Sequence, residues 1–305
     1  MQDWYPISLS GDGVKVNWRY LGKQRFIESF FQDTLTAQKI EHRKTCITDI
    51  SAFSTLTNSI SPTAFIFHIS RCGSTLLTQI LATLESCVVL SEPPIIDSFF
   101  QYYPEATSDN LKLFQKIIHT LGQKRFPTDQ YFVIKLDSWH LSKLDFIQKA
   151  FPTAHMIFLY RHPQEVLSSH QKQRGPQMIP NFVNMGNLKV DWTRDTPGDL
   201  DGYCLRVLDR FFDAGINHCA SNHIHLINYN QLPAIVWDTL LSKLHIECSP
   251  KEIAAIQMRS QFHSKHPNQV FSEQSVPTKE HLFFKETFAQ YLRLEEIRVS
   301  ADRWL

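Results

Sequence analysis

Along most of the chain, apolar runs of strand length alternate with amphipathic stretches of helical length. Ala64–Ile69 is an apolar run that ends in a loop of small residues. A helical stretch follows at Thr75–Leu84, then a short strand at Cys87–Leu90. The same reading gives helices at Leu111–Leu121, Leu141–Ala150, Pro163–Lys172, Leu200–Ala220 and Pro233–Leu244, and strands at Tyr131–Leu136, His155–Tyr160 and His223–Tyr229. Pro163 suits a first helical position. Continuous apolar strands alternating with helices predict an α/β fold: a central parallel sheet with helices on both faces. Ligands in such folds bind at the carboxyl ends of the strands.

The first sixty residues show another pattern. Gly11-Asp12-Gly13 is a turn signal, and Val14, Val16 and Trp18 alternate with polar residues as in a half-exposed hairpin strand. Phe26, Phe30, Phe31 and Leu35 then recur at helical spacing. The expected organisation is a small α+β extension over residues 1–60 and a main domain over 61–305. The stretch from Gly175 to Gly202 is rich in Pro, Asn, Asp and Gly, and reads either as a substrate-facing lid or as a plain surface loop.

Composition narrows the function by exclusion. The net charge of +1 over 305 residues draws the chain to neither nucleic acid nor an anionic membrane, so a polyanionic ligand needs a local cluster. Six cysteines without a C-x-x-C pair suggest reduced thiols rather than a disulfide framework or a zinc site, and no metal is expected. No apolar run approaches the ~20 residues that span a bilayer, and the first residues lack the character of a secretion signal. A cytoplasmic enzyme is the expectation.

The loop His68-Ile-Ser-Arg-Cys-Gly-Ser-Thr75 stands between strand and helix, where free N–H groups and the helix dipole favour an anion. It is not a Walker loop, which needs glycine at 68 and lysine at 74. Nor is it a Cys-x5-Arg phosphatase loop, since Thr78 stands six residues after Cys72. A glycine turn without a ligand is the plain alternative. Arg71-Cys-Gly-Ser-Thr-Leu-Leu77 resembles the loop that holds the 5′-phosphosulfate in sulfotransferases that use the donor PAPS, with Cys72 in place of the usual Ser or Thr. Arg161-His-Pro-Gln-Glu-Val-Leu-Ser-Ser169 resembles that family's second element, in which the Arg and the last Ser grip the 3′-phosphate. Ser169 lies about two helical turns beyond Arg161, so both side chains can reach one anion. Taken singly, Arg161 reads equally as a surface ion pair and Ser169 as a solvated helix face.

Further likenesses extend this one. Ile227-Asn-Tyr-Asn-Gln-Leu232 resembles the element that brings a tyrosine to the adenine, which implies that role for Tyr229; a core tyrosine is the alternative. Arg259–His266 resembles the loop that closes over the nucleotide, which implies Ser264 and Lys265 at the 3′-phosphate. The resemblance covers roughly residues 63–270 and implies a PAPS site of Arg71, Cys72, Gly73, Ser74, Thr75, Arg161 and Ser169, with PAP as product.

Chemistry requires a cation for the leaving group and a base for the acceptor. Lys135 closes an apolar strand, a costly place for an ammonium, and matches the family's strand-end lysine. Two carboxylates compete as base. Glu92, nineteen residues after Gly73, matches the catalytic glutamate of tyrosylprotein and some bacterial sulfotransferases; Asp137 stands where cytosolic members carry a histidine. A carboxylate is a weak base unless burial raises its pKa. Pro93-Pro94 suggests an apolar turn around Glu92, and the neighbouring lysine is expected to lower Asp137, so Glu92 is preferred. His140 and His170 stand in reserve. The expected reaction is sulfuryl transfer to a small hydroxylated metabolite or natural product. A P-loop kinase and a catalytically silent nucleotide-binding protein are the alternatives.

Overall fold

The computed structural model describes residues 2–55, 58–192, 198–219, 224–262, 264 and 281–302. The main sheet holds β4 (Pro62–His68), β5 (Cys87–Ser91), β6 (Tyr131–Lys135), β7 (His155–Tyr160) and β8 (Ile224–Asn228). All its pairings are parallel, in the order β5-β6-β4-β7-β8. Before it come β1 (Trp4–Ser10), β2 (Lys15–Tyr20) and β3 (Thr45–Asp49), an antiparallel sheet in sequence order, with α1 (Phe31–Ala37) between β2 and β3. The fold class is the one the apolar pattern predicts.

β4 is the central strand, and Ala64–Phe67 on it are wholly buried, as a strand covered on both faces requires. The connection from β4 runs through α2 (Ser74–Leu81) toward β5, whereas that from β7 runs through α6 (Pro163–Lys172) and α7 (Leu200–Cys219) toward β8. Right-handed crossovers in opposite directions place α2 and the α6–α7 pair on opposite faces. They also open a crevice at the carboxyl ends of β4 and β7. The remaining α-helices among the described residues are α3 (Pro94–Tyr102), α4 (Ser108–Leu121), α5 (Leu144–Ala150), α8 (Leu241–Lys243), α9 (Pro250–Ser260) and α10 (Phe284–Asp302). None among the described residues is long and apolar enough to cross a membrane.

The small sheet joins the same hydrophobic core. On β2, Val16 and Trp18 face inward, as their alternation predicts. Leu9 N–H donates to Ser98 Oγ (2.8 Å) on α3, and the Gln123 amide bridges Asp3 N–H and the Trp4 carbonyl (both 2.8 Å). The helix expected from Phe26 begins only at Phe31, because Phe30 is extended (φ −135°, ψ 151°). The Gln79 amide donates to the carbonyls of Ile27 and Glu28 (3.1 Å each), so those acceptors serve α2 rather than a helix of their own. Phe26 and Phe31 instead pack on Tyr5, with the Arg125 guanidinium 4.1 Å from the centre of the Phe26 ring. This arrangement carries Phe30 over the carboxyl end of the main sheet.

Candidate active site

The crevice is a cleft of about 500 Å3, and most residues singled out from the sequence line it. Its floor is the turn from β4 to α2. Ser70, Arg71 and Gly73 all have positive φ (71°, 52° and 83°), which curls the backbone into a concave nest. The next residues, Ser74, Thr75 and Leu76, open α2 with N–H groups that have no acceptor within the helix, so the nest and the helix start face the same volume. Gly73 is required twice over. Its φ suits glycine, and an added Cβ would lie 2.8 Å from both Tyr229 Cδ2 and Leu232 Cδ1.

Two side chains that no motif marks for this purpose hold the turn in shape. His68 Nδ1 accepts the Ser70 N–H (3.0 Å), so the ring's proton sits on Nε2, which donates to the Leu136 carbonyl (3.0 Å). Burial holds the His68 pKa below the ordinary imidazole value, in keeping with a neutral ring. The Cys72 thiol donates to the Leu159 carbonyl (3.3 Å), and burial pushes its pKa up to about 11. Cys72 is therefore a structural thiol that ties β4's turn to β7, not a thiolate nucleophile.

Strand order delivers the remaining groups. Lys135 ends β6 on one side of the turn, and Arg161 follows β7 on the other. Ser169 reaches the cleft from α6, and Tyr229 from the end of β8, where its ring lies 3.9 Å under the Arg161 guanidinium. That stacking places Tyr229 in the cleft rather than the core. Arg161 also pairs with Glu165 (2.7 Å), and Arg71 donates to the Gln173 carbonyl (2.8 Å) beyond α6. Ser264 lines the cleft, its carbonyl accepting from Ser29 Oγ (3.0 Å) and Arg259 (3.3 Å). Lys265 lies outside the described residues.

Lys135 is almost wholly buried, and among the described residues its ammonium has three neighbours. Glu92 Oε1 lies at 2.8 Å, Thr75 Oγ1 at 3.4 Å and the centre of the Phe30 ring at 4.4 Å. Here the environment differs from the sequence expectation. Burial pushes the Glu92 pKa upward, but the Lys135 charge, with the His68 ring 3.7 Å away, outweighs it and holds the carboxyl well below its usual range. Asp137 moves the other way. Burial raises it well above the usual value, and the negative charges of Glu92 and Asp97 add to the rise. The expected order of the two carboxyls is thus inverted. Lys135, the final residue of β6, pairs with Glu92 rather than with Asp137, two residues beyond it in the chain.

The two reserve histidines do not line the cleft. His140 is buried behind Asp137, with Nε2 3.2 Å from Asp97 Oδ1 and Nδ1 3.8 Å from Asp137 Oδ2. His170, on α6, is wholly buried; its Nδ1 accepts the Gly175 N–H (3.1 Å), and burial lowers its pKa to about 3. A neutral buried histidine makes a sharp prediction. Below about pH 6.5 the unfolded chain takes up a proton that folded His170 refuses, so stability falls toward pH 3 by about 1.4 kcal/mol per pH unit. His225, lowered by burial to about 4, acts in the same direction, and Asp137 in the opposite one. Urea midpoints at pH 7.5, 6 and 5 should decline for the parent and decline less for His170→Gln; parallel profiles would remove this role.

Sequence reasoning missed the walls of the cleft. Phe30 comes from the extension, Trp139 from beyond β6, Gln173 and Gln177 from beyond α6, and Phe262 from beyond α9. No motif marks these positions, and only the fold brings them together.

No protein-family model matches the chain, and no curated protein matches it by sequence. Among solved structures it is similar to the sulfotransferase domain of the curacin biosynthetic pathway (17% identity, 78% of this chain and 98% of that one, TM-score 0.49). It is also similar to a sulfotransferase of Mycobacterium avium (11% identity, 82% and 78%, TM-score 0.48). A third likeness is to a mouse sulfotransferase complexed with PAP (12% identity, 78% and 84%, TM-score 0.39). At such distance, what a chain does is decided by the residues of its site.

Proposed function

We propose that this chain is a sulfotransferase that uses PAPS and transfers its sulfuryl group to the hydroxyl of a small molecule. One observation carries the reading. The Ser70–Thr75 nest, Lys135, the Arg161–Ser169 pair and the carboxylate of Glu92 converge on one cleft from four different strand ends. The nest and helix start suit the 5′-phosphosulfate, Arg161 and Ser169 the 3′-phosphate, and the Tyr229 ring the adenine. Arg71, Ser74 and Thr75 stabilise charge on the equatorial oxygens.

The reaction forms an S–O bond to the acceptor and breaks the S–O bond to the donor's phosphate, and PAP leaves. The hydroxyl proton passes to Glu92, which is ionised at neutral pH because Lys135 pairs with it. That pairing makes Glu92 a poor base until the donor draws Lys135 away. Thr75 stands 3.4 Å from the ammonium, so a phosphosulfate in the nest competes with Glu92 for Lys135. Glu92 then keeps its burial and loses its cation, and its proton affinity rises as the donor arrives. Lys135 meanwhile neutralises the departing oxygen. The cleft is primed by its own substrate.

Two measurements test this reading. PAP at about 100 times its dissociation constant should add about 2.7 kcal/mol of stability, and mixing with PAPS and hydroxyl acceptors should give products heavier by one sulfuryl group. Stabilisation by ATP but not by PAP would favour a kinase. PAP binding without transfer to any acceptor would favour a silent nucleotide-binding protein. Glu92→Gln should lower transfer by about 10²- to 10⁴-fold while PAP still binds. Intact activity in Glu92→Gln together with its loss in Asp137→Asn would hand the base role to Asp137.

A further inference from the structure

Next to the nest, the cleft opens into a second cavity of about 460 Å3 that shares Phe30, Glu92, Asp137 and Trp139 with the first. If the first cavity takes the donor, the second is where an acceptor reaches Glu92, so its role rests on the donor reading. Its volume suits a small organic molecule. Its walls combine two aromatic side chains, Phe30 and Trp139, with four carboxyls: Asp33, Glu92, Asp97 and Asp137. Among the described residues they include no lysine, arginine or histidine.

The carboxyls reach this cavity from α1, the turn after β5, α3 and the turn after β6, and among the described residues only one has a lysine or arginine ion-pair partner. Glu92 holds Lys135. Among the described residues, Asp33 on α1 accepts only the Phe30 N–H (3.2 Å). Asp97 on α3 accepts from Trp139 Nε1 (2.7 Å) and faces His140 (3.2 Å), and Asp137 lies 3.8 Å from the same imidazole. Among the described residues, no lysine or arginine pairs with Asp33, Asp97 or Asp137. The carboxyl of Asp137 already feels this excess, since burial and then the charges of Glu92 and Asp97 raise its proton affinity. The described carboxyls do not group tightly enough to hold a metal ion.

We propose that the second cavity selects an acceptor carrying an ammonium or guanidinium group beside its hydroxyl, seated between the aromatic side chains of Phe30 and Trp139 and the carboxyls of Asp33, Asp97 and Asp137. A cation gains from the aromatic faces as well as from the carboxylates. A neutral polyol could hydrogen-bond to the carboxylates but would leave their charge in place. An anionic acceptor would add to it. The hydroxyl, rather than the protonated amine, then meets Glu92, because the ammonium has no lone pair with which to attack sulfur.

The test uses the full chain, saturated with PAP for binding and supplied with PAPS for transfer. Two charge series serve as probes: tyramine, N-acetyltyramine and hydroxyphenylpropionate, and glucosamine, N-acetylglucosamine and gluconate. The amine should stabilise the PAP complex most in each series and, where transfer is seen, exceed its neutral counterpart at least tenfold in kcat/KM. Asp33 is exposed at the start of α1, so Asp33→Lys reverses its charge without burying a lysine. It should cut the amine's advantage about tenfold and leave the PAP-induced stabilisation unchanged. An amine that stabilises no more than its neutral and anionic counterparts, no effect at all included, overturns the proposal; so does an unaltered preference in Asp33→Lys. Failure of PAP itself to bind would instead overturn the donor reading, so the two failures are distinguishable.

Discussion

Lys135→Met should abolish measurable sulfuryl transfer and lower stability by about 3–5 kcal/mol, the usual cost of leaving one member of a buried ion pair alone. Only 1% of the Lys135 side chain and 24% of the Glu92 side chain is exposed, at a separation of 2.8 Å, so water cannot readily take the place of the lost partner. The deficit should depend on pH in a definite sense. Without Lys135, burial dominates and the Glu92 pKa rises above that of the unfolded chain. Folded Glu92 then holds a proton that the unfolded chain has released, so stability recovers as pH falls through the raised pKa. The double variant Lys135→Met/Glu92→Gln removes the orphaned charge and should regain most of the stability while remaining inactive. Urea unfolding of the four proteins forms a double-mutant cycle. A stable single variant, or a double variant no more stable than the single, would show that the pair is not the buried unit the geometry describes.

How far the fold could be read from the sequence depended on how much of each element's order is local. The strands β4, β5, β6 and β7 and helix α6 stood out because a strand buried on both faces is an apolar run, and Pro163 marks the start of α6. α3 was hidden by Pro93-Pro94, which suggested a turn, although Pro94 in fact opens the helix. α9 is absent from the helices that apolar spacing predicts, although its start is legible by another signal: Ser249-Pro250-Lys251-Glu252 forms a capping box with proline at the first position. The segment before α1 could not be read locally. Its aromatic spacing is helical, yet Gln79, some fifty residues away, takes two of its carbonyls.

The candidate site divides in the same way. Its proposed donor side rests on single loops whose residue types are dictated by the backbone and by anion chemistry, so Gly73, Arg161 and Ser169, which line the cleft, could be singled out as motifs. The ranking of Glu92 and Asp137 was not. It depends on which carboxyl Lys135 faces, and β5 and β6 are neighbours only because the chain crosses over and returns. Glu92 N–H also donates to the Lys135 carbonyl (2.7 Å), so the backbone itself sets the two side chains side by side. The second cavity, assembled from α1, the start of α3 and the segment after β6, has no sequence signature.

Gly73→Ala should remove PAP-induced stabilisation while the protein stays folded. The positive φ alone costs an alanine about 1 kcal/mol. The larger effect is steric. The new methyl would stand 2.8 Å from the Tyr229 ring and from Leu232, closer than carbon atoms tolerate, and overpacking of this kind costs about 1–3 kcal/mol when neighbours must shift. Tyr229 cannot move alone, because the Arg161 guanidinium rests 3.9 Å from its ring centre. Displacing the ring therefore disturbs both the nest and the proposed 3′-phosphate site. Gly22→Ala separates the two causes: Gly22 also has positive φ (61°), but its nearest contacts, to Tyr20, begin at an ordinary 3.6 Å. It should lose a similar increment from backbone strain and keep the full response to PAP. Equal responses to PAP in Gly73→Ala and Gly22→Ala would mean that close approach at the nest is not what the glycine provides. A selective loss at Gly73 would tie the adenine ring, the 3′-phosphate and the 5′-phosphosulfate to one rigid unit: the turn, Tyr229 and Arg161.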